Sequence, residues 1–361
     1  MKILFVYDKM PGIYQNYLNV FLNYLKTKLS ITILTYGEKS GGDIEIESYR
    51  LKDKFQRLLY KFKLSEFTSL DIKNMNKFDI IHIQHSYLKD KILPLLDQES
   101  KPKIVITLRG SDTYMKPWII ESWRTFYKTY GNKIDAFITM SHHQKNYLLR
   151  WGVDEERIHV IPISFGMAID SKPKYPNGKM LKLVSAFRMT WEKNIEGCLL
   201  FAKTLKEKKV AFVYDIYGDG NDLDQLYYLV DKFELNDFVK IKGKVENNKL
   251  KANLSGYDFF LQLSLSEALP TTVLEAQSQG LPCIVSNSDG LPESVINNVT
   301  AIVGDYNLVD MLAEECLKVW KDKELYFSFS KNAILHANKS FSVEVESDRL
   351  MTLYNNLINP S

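Results

Sequence analysis

The chain has 361 residues, of which 45% are hydrophobic and 25% charged, with 17 Gly and 11 Pro. These values are typical of a globular protein with two domains, and they exclude collagen-like, disordered and disulfide-stapled folds. No stretch approaches the roughly 18 apolar residues that a membrane-spanning helix requires. The three cysteines have neither C-x-x-C spacing nor a nearby histidine pattern, so they favour a reducing cytoplasm and indicate no zinc site.

The first half of the chain alternates short apolar runs with longer helix-periodic segments, a pattern typical of β-α-β units and a parallel sheet. Helices are predicted between these runs, for example over 14–28 and 118–130. The predicted strands are 2–7, 31–34, 79–83, 103–108, 136–139 and 159–162. The fold class is therefore α/β.

Positive charge is concentrated in this first half. Residues 1–165 carry 25 Lys and Arg against 18 Asp and Glu, whereas residues 166–361 carry 22 against 26. Six of the cations lie in residues 50–63 (RLKDKFQRLLYKFK), where Phe55, Leu58, Leu59 and Phe62 recur at helical spacing. A basic amphipathic helix of this kind can bind an anionic membrane surface. The alternative is an ordinary surface helix whose lysine stems cover its own apolar stripe.

Residues 164–180 contain two prolines and two glycines without apolar periodicity, which predicts an inter-domain linker over 166–180. The linker separates an N-terminal domain, 1–165, from a C-terminal domain, 181–340. Alternation of strands and helices then resumes. The strands predicted in the second domain are 181–187, 212–217, 239–242, 259–263, 283–286 and 301–303.

Residues 264–293 are the most informative stretch, because two glutamates eight residues apart flank a predicted helix start. Pro270 suits the first helical turn, so the amides of Thr271 and Thr272 should be free to bind an anion such as a diphosphate. Glu275, one turn inside the helix, and Glu267, in the loop, could accept hydrogen bonds from a ribose and from a second ring. The alternative is that Glu267 caps the helix and Glu275 is solvated.

The same domain also supplies cations at the opening of its first loop. Arg188 and Lys193 directly follow the first strand of the domain and are spaced to converge on one phosphate. Ligands of open α/β sheets bind at this edge, which favours a functional role over a solvated surface pair. Gly218, in a Gly-x-Gly turn after the next strand, would let the backbone approach a flat base, although the third glycine of a dinucleotide fingerprint is missing.

The order of Arg188, Lys193, Glu267 and Glu275 along the chain resembles that found in the large retaining glycosyltransferase family 4, of GT-B fold. This family is also described as glycosyl transferases group 1. The resemblance extends to the first half through residues 79–85 (DIIHIQH) and 107–112 (TLRGSD). It implies two Rossmann-like parallel-sheet domains facing across a cleft, with a C-terminal helix, 341–361, that closes the first domain. It also implies a nucleotide-sugar donor bound mainly by the C-terminal domain and a saccharide or lipid-linked acceptor bound mainly by the N-terminal domain.

The resemblance assigns the diphosphate to Arg188 and Lys193, the donor sugar to Glu267 and the ribose to Glu275. Further donor-side residues are Thr271, Thr272, Gly218 and Gly12, and the acceptor-side residues are His85, Arg109 and Asp112. Two departures stand out. Many relatives have a histidine where this chain has Arg109. The role of that histidine is therefore not assigned to Arg109. The glycine-rich loop that relatives have after the first strand is reduced here to residues 10–12 (MPG), which end at Gly12.

The expected activity is retaining transfer of a sugar from a nucleotide-diphosphate donor, without a metal or cofactor. Such an enzyme would act in polysaccharide or lipopolysaccharide assembly, in the cytoplasm or at the inner face of the plasma membrane. Retention is expected through same-face attack, in which the leaving phosphate helps to deprotonate the acceptor. The histidine pairs His82/His85 and His142/His143 lack the acidic pattern of a metal site.

Two alternatives come from other function classes. A catalytically silent GT-B-like subunit that binds or stabilises a glycosylation complex is the main alternative, although the complete set of cations and glutamates argues against it. A nicotinamide-dependent enzyme requires Gly-x-Gly-x-x-Gly after the first strand, which this chain lacks. Nucleic acid is not an expected partner.

Overall fold

A computed structural model of the chain describes residues 1–12, 16–37, 39–98 and 101–359. These residues form two compact units. The first unit contains residues 1–12, 18–162 and 347–359, and the second contains residues 16–17 and 163–346.

The described part of the first unit is built on seven parallel strands, in the order β3-β2-β1-β4-β5-β6-β7. The strands are β1 (Ile3–Tyr7), β2 (Ile31–Thr35), β3 (Ile44–Glu45), β4 (Ile80–Ile83), β5 (Lys103–Thr107), β6 (Ala136–Thr139) and β7 (Ile158–Val160). The helices are α1 (Asn16–Lys26), α2 (Arg50–Lys61), α3 (Leu70–Met75), α4 (Leu93–Leu96), α5 (Ser111–Tyr114), α6 (Lys116–Ile119), α7 (Glu121–Tyr130) and α8 (His142–Leu149).

The second unit has six strands within its described residues, in the order β10-β9-β8-β11-β12-β13. The strands are β8 (Leu181–Ala186), β9 (Phe212–Tyr217), β10 (Val239–Gly243), β11 (Phe259–Gln262), β12 (Cys283–Ser286) and β13 (Ala301–Gly304). The helices are α9 (Ile195–Glu207), α10 (Leu223–Lys232), α11 (Asn247–Leu254), α12 (Thr271–Ser278), α13 (Val309–Lys321), α14 (Lys323–Phe341) and α15 (Val343–Ile358), of which α15 belongs to the first unit from Ser347 onward. Short 3-10 turns lie at Glu47–Tyr49, Ser86–Ile92, Gly131–Lys133, Glu155–Arg157, Trp191–Lys193 and Leu291–Ser294.

Every predicted strand is confirmed, with ends within two residues of those expected. The strands were recognisable because a parallel sheet covered on both faces requires continuous apolar runs. All five residues of β1 are buried, for example. The two-residue strand β3 was missed because it is too short to show a pattern.

The helix predictions were less accurate. The helix predicted over 118–130 is present in two pieces, the end of α6 and the whole of α7, which are separated by Ile120 with its extended backbone. Adjacent β-branched residues such as Ile119 and Ile120 are poor helix formers, which explains the break. The helix predicted over 14–28 is present as α1 from residue 16 to residue 26, and residues 14 and 15 lie outside the described residues.

The segment predicted as a linker is held by hydrogen bonds within the second unit. Lys174 Nζ donates to the Ser255 carbonyl at 2.9 Å, and the Asn177 amide donates to Asp258 Oδ1 at 2.6 Å. Asp258 Oδ2 also accepts from the amide of Lys182, the second residue of β8, at 2.8 Å. One buried carboxylate therefore fixes the path by which the chain enters the sheet.

The first unit contains a buried histidine at its centre. His82, on β4, is 1% exposed, and its ring nitrogens lie 2.5 Å from the Tyr354 hydroxyl and 2.7 Å from the Thr107 hydroxyl. Burial, with a smaller contribution from the charge of Arg109, lowers the pKa of His82 from 6.5 to about 3. His82 is therefore neutral near pH 7 and joins α15 to the sheet through Tyr354.

The loops after β8 and β9 approach each other backbone to backbone. The Met189 amide donates to the Asp219 carbonyl at 2.9 Å, and the Asp222 amide donates to the Met189 carbonyl at 3.0 Å. Gly218 has φ +138°, and a Cβ atom there would lie 1.9 Å from the Phe187 carbonyl oxygen. Only glycine fits this position without movement of the backbone.

Protonation of His82 should make the first unit less stable in acid. The unfolded chain takes up this proton near pH 6.5 and the folded chain only near pH 3. The free energy of unfolding should therefore fall as pH drops below 6.5, by up to about 1.4 kcal/mol per pH unit from this residue. Denaturant titrations of the wild type and His82→Gln between pH 7 and 4 should show a shallower pH slope for the variant. Equal slopes would refute the assignment.

Gly218→Ala should destabilise the second unit by about 2–3 kcal/mol, because the added Cβ collides with a backbone carbonyl at a strained φ. Gly178→Ala is the matched control in the same unit: Gly178 also has a positive φ, +95°, but its Cβ would meet nothing within 4 Å. The control should lose about 1 kcal/mol. Thermal unfolding of the two variants measures the difference, and equal losses would contradict the close approach described above.

Candidate functional site

The candidate site lies at the carboxyl edge of the second sheet. Because β8, β9, β11 and β12 are parallel, the loops that follow them emerge at the same edge. Helix α12 begins at this edge, with Pro270 at its N-cap position. The first amides of an α-helix have no partner inside the helix, so those of Thr271 and Thr272 mark a point of positive potential.

A cavity of about 380 Å³ opens at this edge. Five of the predicted site residues line it, namely Arg188, Gly218, Thr271, Thr272 and Glu275. Other lining residues are Phe187, Tyr217, Asp219, Gly220, Lys244, Val245, Asn247 and Leu250. The cavity thus combines apolar and aromatic walls with a cation, a helix N-terminus and a carboxylate, a composition suited to a small polar ligand.

Glu275 is the buried charge of this cavity. Its side chain is 1% exposed, and Oε1 accepts from Asn247 Nδ2 at 2.8 Å and lies 3.4 Å from Lys251 Nζ. Oε2 has no hydrogen-bond partner among the residues that the structure describes. Burial raises the pKa of Glu275, while Lys251 and Asn247 oppose that shift. One carboxylate oxygen is therefore fixed and the other is buried without a partner among the described residues, so Glu275 is not the solvated glutamate of the alternative interpretation.

Glu267 and Lys193 contact each other, although 74 residues separate them in the sequence. Lys193 Nζ donates to Glu267 Oε1, and the two side chains are only 15% and 10% exposed. The same oxygen accepts from Gln262 Nε2 at 2.6 Å and from Ser264 Oγ at 3.1 Å. Gln262 Oε1 in turn accepts from the Thr272 hydroxyl at 3.2 Å. These contacts connect the pair to the start of α12, although neither Lys193 nor Glu267 is among the residues that line the cavity.

Arg188 is the exposed cation of the site. Its side chain is 72% exposed, and Nη2 lies 3.6 Å from Glu192 Oε1. An ion pair this exposed contributes little to stability, so the guanidinium is free to exchange Glu192 for a ligand oxygen. The structure therefore places one exposed and one nearly buried cation, Arg188 and Lys193, on the loop that follows β8.

Gly12, the remaining predicted donor-side residue, is in the first unit. It is exposed, and a Cβ added there would meet no atom within 4 Å. Among the residues that the structure describes, nothing near Gly12 requires glycine, and Gly12 does not line the cavity of the second unit. Its predicted role as a donor contact stays a prediction.

The predicted acceptor-side residues cluster at the carboxyl edge of the first sheet. The Asp112 carboxylate is buried and accepts from the amides of Arg109 and Gly110, both at 3.0 Å, and from the Ser86 hydroxyl. Asp112 therefore shapes the loop after β5. Arg109 Nη2 lies 3.4 Å from Gln84 Oε1. His85 is half-buried, and burial together with the charge of Arg109 lowers its pKa.

Two kinds of feature are absent from the described ranges. No helix there is both long and apolar enough to cross a bilayer. No group of three or more His, Cys, Asp or Glu side chains there is arranged to hold a metal ion.

Three residues that matter to the site were missed by sequence reasoning. Asn247 and Lys251, on the first turns of α11, hold Glu275 in place, and Gln262, at the end of β11, joins Thr272 to Glu267. The only signal for Gln262 was a polar residue at the end of an otherwise apolar strand. Asn247 and Lys251 had no local signal, because their partner lies more than 20 residues away.

Two family models match the chain, and together they cover most of it. Residues 168–336 match the model described as glycosyl transferases group 1, and residues 23–163 match that described as glycosyltransferase family 4.

Curated relatives are similar at low identity. A putative colanic acid biosynthesis glycosyltransferase of Escherichia coli, WcaL, is 26% identical over 200 residues, which are 54% of this chain and 49% of that protein. The GtfA subunit of a UDP-N-acetylglucosamine–peptide N-acetylglucosaminyltransferase of Streptococcus parasanguinis is 29% identical over 45% of this chain and 32% of that protein. The chain thus spans half or less of the length of these relatives. An uncharacterized glycosyltransferase of Bacillus subtilis, YqgM, is 22% identical over 85% of this chain and 83% of that protein.

Solved structures share the fold over the full length of the chain. A glycosyltransferase from Rickettsia africae superposes with a TM-score of 0.70 at 19% identity, covering 100% of this chain and 99% of that one. Anabaena HepE in complex with UDP-glucose superposes with a TM-score of 0.72 at 14% identity, covering 98% and 100%. With both family models matched and two parallel-sheet α/β domains present, the chain belongs to the group 1 glycosyltransferases of GT-B fold.

Proposed function

We propose that the chain transfers a glycosyl group from a nucleoside-diphosphate sugar to a saccharide or lipid-linked acceptor in cell-surface polysaccharide or lipopolysaccharide assembly. The observation that carries this proposal is the cavity beside α12. Glu275, Arg188 and the N-terminus of α12 all line this cavity, and Glu275 Oε2 is buried without a partner among the described residues. A carboxylate accepts hydrogen bonds from vicinal hydroxyls, and helix amides with a guanidinium bind phosphate. Relatives named for colanic acid and amylovoran biosynthesis support the polysaccharide role.

The proposed donor pose follows from the order of these groups. The diphosphate lies against the amides of Thr271 and Thr272 and is reached by Arg188, while Glu275 Oε2 accepts from the ribose. The base lies near Gly218, where the loops after β8 and β9 meet. This pose orients the donor sugar toward Lys193 and Glu267, which are joined to Thr272 through Gln262.

Catalysis in this proposal is electrostatic. Negative charge grows on the departing diphosphate as the glycosidic bond breaks, so preorganised donors at the phosphates stabilise the transition state more than the ground state. Arg188, Lys193 and the amides of α12 supply these donors, and the proposal includes neither a metal nor a cofactor. We assign the sugar hydroxyls to Glu267, and the three donors to its Oε1 support this role by holding the side chain in one orientation.

The stereochemical part of the proposal is retention by same-face attack. The acceptor hydroxyl forms the new bond to the anomeric carbon on the side from which the diphosphate leaves, and its proton passes to a phosphate oxygen. On the acceptor side we assign contacts to His85 and Arg109, with Asp112 fixing their loop. The lowered pKa of His85 keeps its ring neutral near pH 7, so it can bond to a hydroxyl without adding charge.

Turnover by the purified chain tests the function directly. A thermal-shift screen of UDP-, GDP-, ADP- and CMP-sugars should find one donor that raises the melting temperature, since it binds only the native state. Hydrolysis or transfer of that donor should then fall about 10²-fold in kcat for Arg188→Ala. Lys318→Ala is the matched control, because Lys318 is also exposed and paired with a nearby glutamate, at 3.4 Å. Donor binding without any turnover would instead indicate the silent binding subunit.

Glu275→Gln should weaken binding of the preferred nucleoside diphosphate by about ten- to hundred-fold, because a hydrogen bond to a charged acceptor is lost. The 2′,3′-dideoxy analogue lacks the hydroxyls that Glu275 would hold, so its affinity should be the same for the wild type and the variant. Isothermal titration calorimetry measures both. An equal loss for the two ligands would show that Glu275 acts on cavity shape rather than on ribose.

A further inference from the structure

Helix α2 contacts the first unit mainly through polar side chains, next to the partly buried Leu59. Gln56 is 3% exposed and donates from Nε2 to the Ser65 hydroxyl at 2.6 Å and to the Phe67 carbonyl at 2.8 Å. Asp53 accepts from the Leu70 amide at 2.8 Å. A surface helix normally buries its apolar side and exposes its polar side, whereas α2 exposes most of its apolar side chains.

The apolar side of this helix segment faces away from the unit. Leu51, Phe55, Leu58 and Phe62 are 81%, 62%, 48% and 65% exposed. Their spacing of four, three and four residues places them on one face, in a stripe about 16 Å long. We call these four residues the α2 stripe. Single exposed apolar residues are ordinary, but an aligned set of this kind marks an interaction surface.

Cations flank the stripe. Residues 50–63 carry six Lys and Arg against one acid, Asp53, and that acid is already engaged by the Leu70 amide and by Arg57 at 2.7 Å. Lys54 and Lys61 are exposed next to the stripe. The surface that this helix presents is therefore apolar along its centre and basic at its margins.

We propose that α2 lies on the surface of an anionic lipid bilayer, with the α2 stripe inserted among the acyl chains and the flanking cations at the headgroups. Charge complementarity favours a bilayer over a second copy of this chain, because two copies would bring their basic margins together. An interfacial helix has this combination of a narrow apolar face and Lys/Arg flanks. The proposal depends only on α2 and not on the donor site, although it would bring the enzyme to a lipid-linked acceptor.

Sedimentation with vesicles tests the proposal. The wild type should bind vesicles that contain phosphatidylglycerol and should not bind vesicles of phosphatidylcholine alone. Phe55→Ser/Phe62→Ser should weaken binding at least tenfold, because two apolar anchors are lost. Lys54→Gln/Lys61→Gln should weaken it by about five-fold per charge. Added salt should weaken binding of the wild type as it screens the headgroups.

Matched controls come from the second unit. Tyr227 and Tyr228 on α10 are 57% and 64% exposed, so Tyr227→Ser/Tyr228→Ser removes two aromatic side chains of similar exposure. Lys323→Gln/Lys331→Gln removes two exposed cations. Neither control should change vesicle binding. If either control reduces binding as much as its α2 counterpart, the effect is not specific to α2 and the proposal fails.

Insertion of the α2 stripe into the bilayer can be measured with a dye attached to the stripe. The natural cysteines Cys198, Cys283 and Cys316 are buried, so a polarity-sensitive dye will label an introduced cysteine. The dye on Leu51→Cys should shift to the blue with phosphatidylglycerol vesicles. On Leu335→Cys, which replaces a leucine that is 56% exposed on α14, it should not shift. Equal shifts, or none, would overturn the proposal.

Two further results separate this inference from the proposed function. Nucleoside-diphosphate binding, measured in every α2 variant, should equal that of the wild type. If the wild type binds vesicles but no nucleotide, only the proposed function fails. If the wild type ignores anionic vesicles, and Phe55→Ser/Phe62→Ser converts a dimer to a monomer in size-exclusion chromatography, the stripe is a protein interface and the bilayer proposal is wrong.

Discussion

The candidate site depends on the buried carboxylate of Glu275. Its Oε1 is held by two side chains, whereas its Oε2 has no partner among the described residues. Removing a charge from water is costly unless a counter-charge and hydrogen bonds replace the lost hydration. For Glu275 these come from Asn247 and Lys251, and Lys251 also donates to the Phe165 carbonyl at 2.6 Å. One ion pair thus joins α11, α12 and the first residues of the second unit. It also leaves Oε2 without a partner among the described residues, a state that a ligand hydroxyl would relieve.

Arg188 and Lys193 each lie next to an acidic side chain of the same unit. Lys193 is paired with Glu267 in a nearly buried contact, whereas Arg188 is paired with Glu192 in an exposed one. A diphosphate would draw Arg188 away at little cost, since a surface ion pair is worth about 0–1 kcal/mol. Separating Lys193 from Glu267 would leave two charges poorly solvated, so we expect that pair to remain together and to act as a unit. In that arrangement the contact that the structure shows for Lys193 is with Glu267, and the phosphate contact proposed for Lys193 would be made from within the pair.

The sequence predicted the sheets far better than it predicted the contacts within the site. Buried parallel strands require apolar runs, and such runs are visible in the local sequence. Among the strands of the described residues, only the two-residue β3 was not predicted. The motif around Glu267 and Glu275 was also visible, because a proline at a helix start and its following amides are local features. That Lys193 contacts Glu267 was not predicted, since the contact joins loops from two strands that are distant in the sequence. The roles of Gln262, Asn247 and Lys251 depend on tertiary contacts in the same way.

Helix α2 shows a different limit of sequence reasoning. Periodicity correctly predicted a basic amphipathic helix, but a periodic pattern does not reveal which face meets the protein. Two polar side chains decide this: Gln56 satisfies the Ser65 hydroxyl and the Phe67 carbonyl, and Asp53 satisfies the Leu70 amide. If α2 were rotated to bury Phe55 and Phe62, those groups would lose their partners and the lysines beside the stripe would be forced against the domain. The hydrogen bonds that attach α2 therefore also direct its apolar stripe outward, which is the orientation that the bilayer proposal requires.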